Sequence, residues 1–185
     1  MRYSAIILAC LATFATQARS GVQEDFPVNL YQEPGSPEAA KNLLDQMEGV
    51  YKKRFQNSDI SGEKYVSENI IEIVKANEYK AYIKIRLNFY NGHTCAIQGV
   101  AEYKKIDGFV YNPADNQDCF LTVRREGDFL TLSDPGYACR AQTCGARGGY
   151  SAQFPMKARR KIRYMPLIVK SKDYNDALKE AGLKN

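Results

Sequence analysis

Tryptophan is absent from the 185 residues, and histidine occurs once, at His93. A single imidazole excludes clustered-histidine metal centres and leaves only one residue of the type that most often serves as a general base. No apolar run is long enough to cross a bilayer, which takes about 20 residues. The longest, Tyr3 to Ala15, is well short of that, and no second one follows. There is no internal repeat, no low-complexity linker and no composition shift that would mark a second domain. A strong charge excess is also missing. The formal net charge is +5, and it falls further once the amino-terminal segment is set aside, which excludes the basic footprint of a nucleic-acid binder.

That segment reads as an export signal. Met1-Arg2 is a short basic start, Tyr3 to Ala15 an apolar core, and cleavage after Ala18 or Ser20 would satisfy the small-x-small rule. Residues 1–20 are therefore expected to be a signal peptide, with a periplasmic or secreted destination. Ile7-Leu8-Ala9-Cys10 has the form of a lipobox, but it lies too near Met1 for a full apolar region to precede it. Losing Arg2 and Arg19 leaves 24 basic and 21 acidic side chains, a net charge of +3. Residues 21–35 read as an extended polar leader, and 36–185 as one disulfide-bonded domain of ordinary size.

The remaining cysteines are Cys95, Cys119, Cys139 and Cys144, an even number in an exported chain, which implies two disulfides. Three connectivities are open. A local Cys139–Cys144 bridge is favoured by the turn-capable residues between them, and it leaves Cys95 with Cys119. A zinc site is the rival, but Cys-x4-Cys with one distant histidine lacks paired ligands, and no metal or cofactor is expected.

Ser36-Pro37-Glu38 is a helix start, with Ala40, Leu43, Leu44 and Met47 as its apolar stripe and Gly49 as its stop. Strands follow at Val50–Gln56 and Tyr65–Lys75. From Tyr79 to Tyr90 the alternation is strict: Ala81, Ile83, Ile85, Leu87 and Phe89 face one way, and Lys80, Tyr82, Lys84, Arg86 and Asn88 the other. Asn91-Gly92 signals a hairpin, with a return strand from Thr94 to Lys104. Short strands at Phe109–Tyr111, Cys119–Val123 and Leu130–Leu132 continue a meander that Asp134-Pro135-Gly136 closes. A glycine- and cysteine-rich loop runs from Tyr137 to Tyr150, and a last strand is expected at Ile162–Met165. Ser171 caps a terminal helix with Tyr174, Ala177, Leu178 and Ala181 on one face and Gly182 as its stop. The predicted fold is α+β and mainly β: a curved antiparallel sheet or small β-barrel of about seven or eight strands, with one helix before it and one after. Gly49-Val50-Tyr51 at the head of a meander resembles calycin-like barrels, which implies the same architecture.

Rare residues cluster between Asn91 and Tyr150. His93 sits in a hairpin turn, where a surface role needs no partner, while a base needs one within reach. A Cys–His nucleophile requires a free thiol at Cys139 or Cys144. Gly145-Ala146-Arg147-Gly148-Gly149 lacks the Lys-Ser/Thr of a P-loop and reads as a tight turn. Arg147, held between glycines beside a disulfide, either forms an internal ion pair or binds an acidic group on a partner; Arg140 is a second such case. Glu68, Glu72, Glu102 and Asp134 are carboxylates near strands, where a solvated sheet face explains them more simply than a glycosidase pair does. Lys157, Arg159, Arg160, Lys161 and Arg163 form a basic run that, with Lys84 and Arg86, would suit an anionic partner or a solvated connector.

The segment Cys144-Gly145-Ala146-Arg147-Gly148-Gly149-Tyr150 resembles a Cys-Gly-containing motif of bacterial envelope lysozyme-inhibitor-like proteins. That resemblance implies an inhibitor-like binding role, although a basic chain lacks the charge complementarity that would speed its encounter with a cationic lysozyme. The reading that emerges is a non-enzymatic envelope binding protein, with Arg147, Arg140, His93, Tyr150, Arg159 and Arg160 as candidate contacts. Its partner would be another protein or an anionic envelope component. The alternatives are an envelope hydrolase using His93 and a carboxylate, and a structural envelope protein.

Overall fold

The computed structural model describes residues 28–183. The signal segment with Cys10 and its cleavage sites, and residues 21–27 of the leader, lie outside the described residues. The rest of the leader is not extended. Val28–Gln32 forms helix α1, and Tyr31 is buried with Ile106 and Val110. Helix α2 (Pro37–Met47) begins as its sequence demands: the Ser36 hydroxyl accepts from the Ala39 amide at 3.4 Å, and Ala40, Leu44 and Met47 are buried.

Eight strands follow: β1 (Gly49–Ser58), β2 (Lys64–Lys75), β3 (Lys80–Asn88), β4 (Thr94–Lys104), β5 (Gly108–Tyr111), β6 (Leu121–Glu126), β7 (Phe129–Ser133) and β8 (Ala152–Pro155). Each pairs antiparallel with the next, in chain order. The sheet curls until the start of β1 meets the chain beyond β8. There Val50 and Arg160 exchange backbone hydrogen bonds of 2.9 and 3.0 Å. The result is a mainly β fold, nearly closed into a barrel, with short helices around it.

Alternation on β3 decides which face turns inward. Ala81, Ile83, Ile85 and Leu87 are buried in the barrel interior with Tyr51, Ile71 and Phe154, while Lys84 and Arg86 are exposed. A one-residue slip would expose four apolar side chains and bury two cations. Tyr82 departs from the expected pattern. It points outward yet is 1% exposed, because helix α5 covers it. Two further helices precede α5: α3 (Ala138–Thr143) and α4 (Met165–Val169); α5 itself is Lys172–Glu180. Tyr174, Ala177 and Leu178 of α5 pack on Val74 and Tyr82, with the Tyr174 ring edge-on to Tyr82 at 5.0 Å. Ser171 caps this helix, and Gly182 follows it at φ 69°.

Three further expectations are corrected. The last strand is Ala152–Pro155, not Ile162–Met165; Ile162 instead packs on the outer face of the barrel with Val50 and Tyr82. The Tyr137–Tyr150 segment contains helix α3. Finally, the disulfides are Cys95–Cys144 and Cys119–Cys139. The helix explains why Cys139 and Cys144 do not join. Five residues of α-helix rise about 7.5 Å and turn the side chains well apart, outside the reach of a disulfide.

Candidate functional site

The β3–β4 hairpin and the segment after β7 meet at one end of the barrel. Asn91 (φ 57°) and Gly92 (φ 71°) both adopt left-handed backbone, the turn that suits a two-residue hairpin. The Phe89 amide closes it by donating to the His93 carbonyl at 2.8 Å. This sets Tyr90 at the tip and Cys95 at the start of β4.

The second segment is folded around Asp134. Its carboxylate is 4% exposed and accepts from the amides of Cys139 at 3.2 Å and Arg140 at 2.7 Å. It thereby satisfies two donors at the start of α3. Burial raises the carboxyl above its usual range, opposed by those two amides and by the nearby Arg140 charge. At the other end of α3, Cys144 is bridged to Cys95, and the Gly145 amide donates to the Thr94 carbonyl at 2.9 Å. The loop then turns back across the disulfide. A Cβ on Gly148 would lie 2.5 Å from the Cys95 sulfur, so only glycine lets the backbone pass this closely.

Arg140 and Arg147 emerge into one cleft of about 310 Å³, with Phe89, Asp134, Tyr137, Gly148, Gly149, Tyr150 and Ser151. Arg147 is exposed, and its guanidinium stands 5.1 Å from the Tyr90 ring centroid. It has no carboxylate partner among the described residues. Arg140 donates to the Ala146 carbonyl at 3.2 Å and lies 5.9 Å from the Tyr137 ring. Arg147 is thus oriented by a neutral ring, whereas Arg140 also lies near the Asp134 carboxyl; both keep donors for a ligand.

Other candidate contacts fall in different places. Tyr150 is 1% exposed, and its hydroxyl is bonded to Thr143 at 2.7 Å; burial pushes its phenol up to about 12. It is a wall of the cleft. His93 packs against the same loop, where a Cβ on Gly145 would lie 2.7 Å from Nδ1. No carboxylate hydrogen-bonds its ring among the described residues. Arg159 and Arg160 sit at the opposite end of the sheet, beside the start of β1. There Arg159 donates to the carbonyls of Asp45 and Gln46 at 3.0 and 2.7 Å, which caps the end of α2. Lys84, named with the same basic run, is paired with Asp173 at 3.3 Å.

The four cysteines among the described residues are all in disulfides, which removes them as thiolate nucleophiles or ligands. The other carboxylates have structural partners: Glu68 binds Arg54 and Lys52, Glu72 accepts from the Tyr164 hydroxyl, and Glu102 pairs with Lys104. Phe89 and Tyr137 were not singled out from sequence. Their only signal was position, each beside a turn that reads as a connector. Comparison with family models, curated proteins and solved structures found no match to the chain.

Proposed function

We propose that the protein is an exported, non-enzymatic binding protein whose Arg140–Arg147 cleft receives an acidic group on a partner in the envelope. The observation that carries this reading is Arg147: an exposed guanidinium, stacked on Tyr90, with no internal counter-ion among the described residues. Arg140 adds a second charge in the same cleft; it stands on α3, Arg147 on the loop that follows, and the Cys95–Cys144 disulfide ties the junction between them to β4. Arginine pairs in this setting suit bidentate recognition of carboxylates or other oxyanions. Two disulfides, and the lack of a membrane-crossing helix among the described residues, are compatible with export. The resemblance of Cys144–Tyr150 to lysozyme-inhibitor-like proteins points toward a protein partner.

The test is retention of material from a periplasmic and wall extract by the immobilised mature protein. Arg140→Ala and Arg147→Ala should each lose the retained partner while keeping the wild-type melting temperature. His93→Ala should retain it. The reverse pattern, with loss in His93→Ala and none in the arginine variants, would overturn the reading in favour of chemistry at the imidazole.

A further inference from the structure

Between Asp134 and Asp173 the chain has no acidic residue and nine basic ones. Two of these, Arg140 and Arg147, belong to the cleft described above. The rest run from Lys157 to Lys172, along the connector that closes the barrel and through α4 to the start of α5.

This connector is pinned to the outer face of the barrel at three points. Ile162 and Ile168 are buried with Val50 and Tyr82, and between them the Tyr164 hydroxyl donates to Glu72. The residues that flank the two isoleucines turn away from the protein. Lys161 and Arg163 are exposed on either side of Ile162. On either side of Ile168, Leu167 is 71% exposed and Val169 39%. Pro166 and Lys170 complete the outer side of α4. A single exposed leucine needs no explanation, but here one helical turn shows solvent a proline, a leucine and a valine.

Cations stand beside that turn without counter-ions. Arg160 and Lys161 line a cleft of about 400 Å³ with Met165, at the start of α4. Carboxylates nearby are already engaged. Asp45 pairs with Lys41 at 3.2 Å, and Glu48 accepts from the Lys75 amide at 3.0 Å. Asp173 is held by Lys84, and Asp176 by Lys172. The side chains of Arg160, Lys161, Arg163 and Lys170 have no ion-pair or hydrogen-bond partner among the described residues.

We propose that this face docks on an anionic lipid membrane. Leu167 and Val169 enter the boundary between headgroups and acyl chains, and Arg160, Lys161, Arg163 and Lys170 lie at the level of the lipid phosphates. A soluble polyanion would satisfy the cations but give the leucine nowhere to leave water. A protein partner would need an apolar pocket surrounded by carboxylates, whereas an anionic bilayer supplies both contacts from its ordinary composition. The arginine cleft lies at the opposite end of the sheet, so docking leaves it open, and neither site depends on the other.

The test is partition of the full mature protein onto sedimented vesicles of phosphatidylcholine, alone or mixed with phosphatidylglycerol. Partition onto the anionic vesicles should exceed that onto phosphatidylcholine by at least about a hundredfold and weaken as salt screens it. Lys161→Ala, Arg163→Ala and Lys170→Ala should each lower it about fivefold, and Leu167→Ala about tenfold. All four side chains are exposed, so melting temperatures should stay at the wild-type value. Arg140→Ala and Arg147→Ala should partition like the wild type, which keeps this test separate from that of the arginine cleft.

No excess partition onto phosphatidylglycerol vesicles would overturn the inference. So would a Leu167→Ala variant that partitions like the wild type, because the cations alone would then carry the binding. Polyphosphate is the soluble control: if it holds the protein as tightly as the anionic vesicles do, the face belongs to a soluble polyanion instead.

Discussion

The disulfide pairing makes a quantitative prediction that a local pairing would not. Cys95–Cys144 spans 49 residues and Cys119–Cys139 spans 20. Loop-closure entropy assigns them about 4 and about 3 kcal/mol, respectively. A Cys139–Cys144 bridge would close about five residues, worth about 2 kcal/mol on the same scale. The perturbation is the double variant Cys95→Ala with Cys144→Ala, unfolded in urea under non-reducing conditions beside the wild type. The expected loss is about 4 kcal/mol, with Cys119–Cys139 intact and no free thiol in the folded variant. Cys119→Ala with Cys139→Ala should lose about 3 kcal/mol, to which the buried positions of both residues add. A thiol-reactive Cys119 or Cys139 in the folded Cys95/Cys144 variant would refute the pairing. A loss of 2 kcal/mol or less would refute the loop-entropy reasoning, and disulfide mass mapping of the wild type separates the two.

Three further outcomes follow from the site and its supports. Gly148→Ala should cost about 1–3 kcal/mol in urea unfolding, because its methyl meets the Cys95 sulfur at 2.5 Å. Gly149→Ala, where nothing lies closer than 4.0 Å, is the control. Arg159→Ala should lower stability by about 1 kcal/mol through the end of α2 and leave Arg147-dependent binding unchanged; a loss of binding would show that the two ends of the sheet act together. Asp134 holds its proton to higher pH in the folded state than in the unfolded chain, so the cost of its buried charge is absent well below that range and complete above it. The wild-type melting temperature, measured relative to Asp134→Asn, should therefore rise as pH falls from about 7 to about 3. A flat difference would mean that the carboxyl is not held above its usual range.

Sequence made the barrel legible where one rule acted alone. Period-two alternation placed β3 and β4, Asn91-Gly92 placed their turn, and Ser36 and Ser171 each placed a helix start. It misled where partners come from elsewhere. Tyr82 read as wet because α5, which covers it, is about ninety residues away. Helix α3 has six residues, and its first amides are satisfied by Asp134 from outside the helix, so it has little signature of its own. The disulfide pairing followed from missing that helix. β8 carries one large apolar side chain, Phe154, too few to show a period. At the site, Arg147 and Arg140 were named from their neighbours in sequence, but their shared cleft exists only because Cys144 is tied to Cys95 rather than to Cys139.

The strand order has a kinetic consequence. Every strand pairs with its successor, so most of the sheet can assemble through short loop closures, the least costly kind in chain entropy; the longest link, from Ser133 to Ala152, carries α3. The contacts that reach furthest along the chain come from joining Val50 to Arg160 and docking α5 on Tyr82. A nascent chain can therefore pair its strands in the order in which they appear, and the rate-limiting step should fall on bringing the two ends of the barrel together. Substitutions at Val50 or Ile162 should slow that step, whereas changes in the β6–β7 hairpin should mainly speed unfolding.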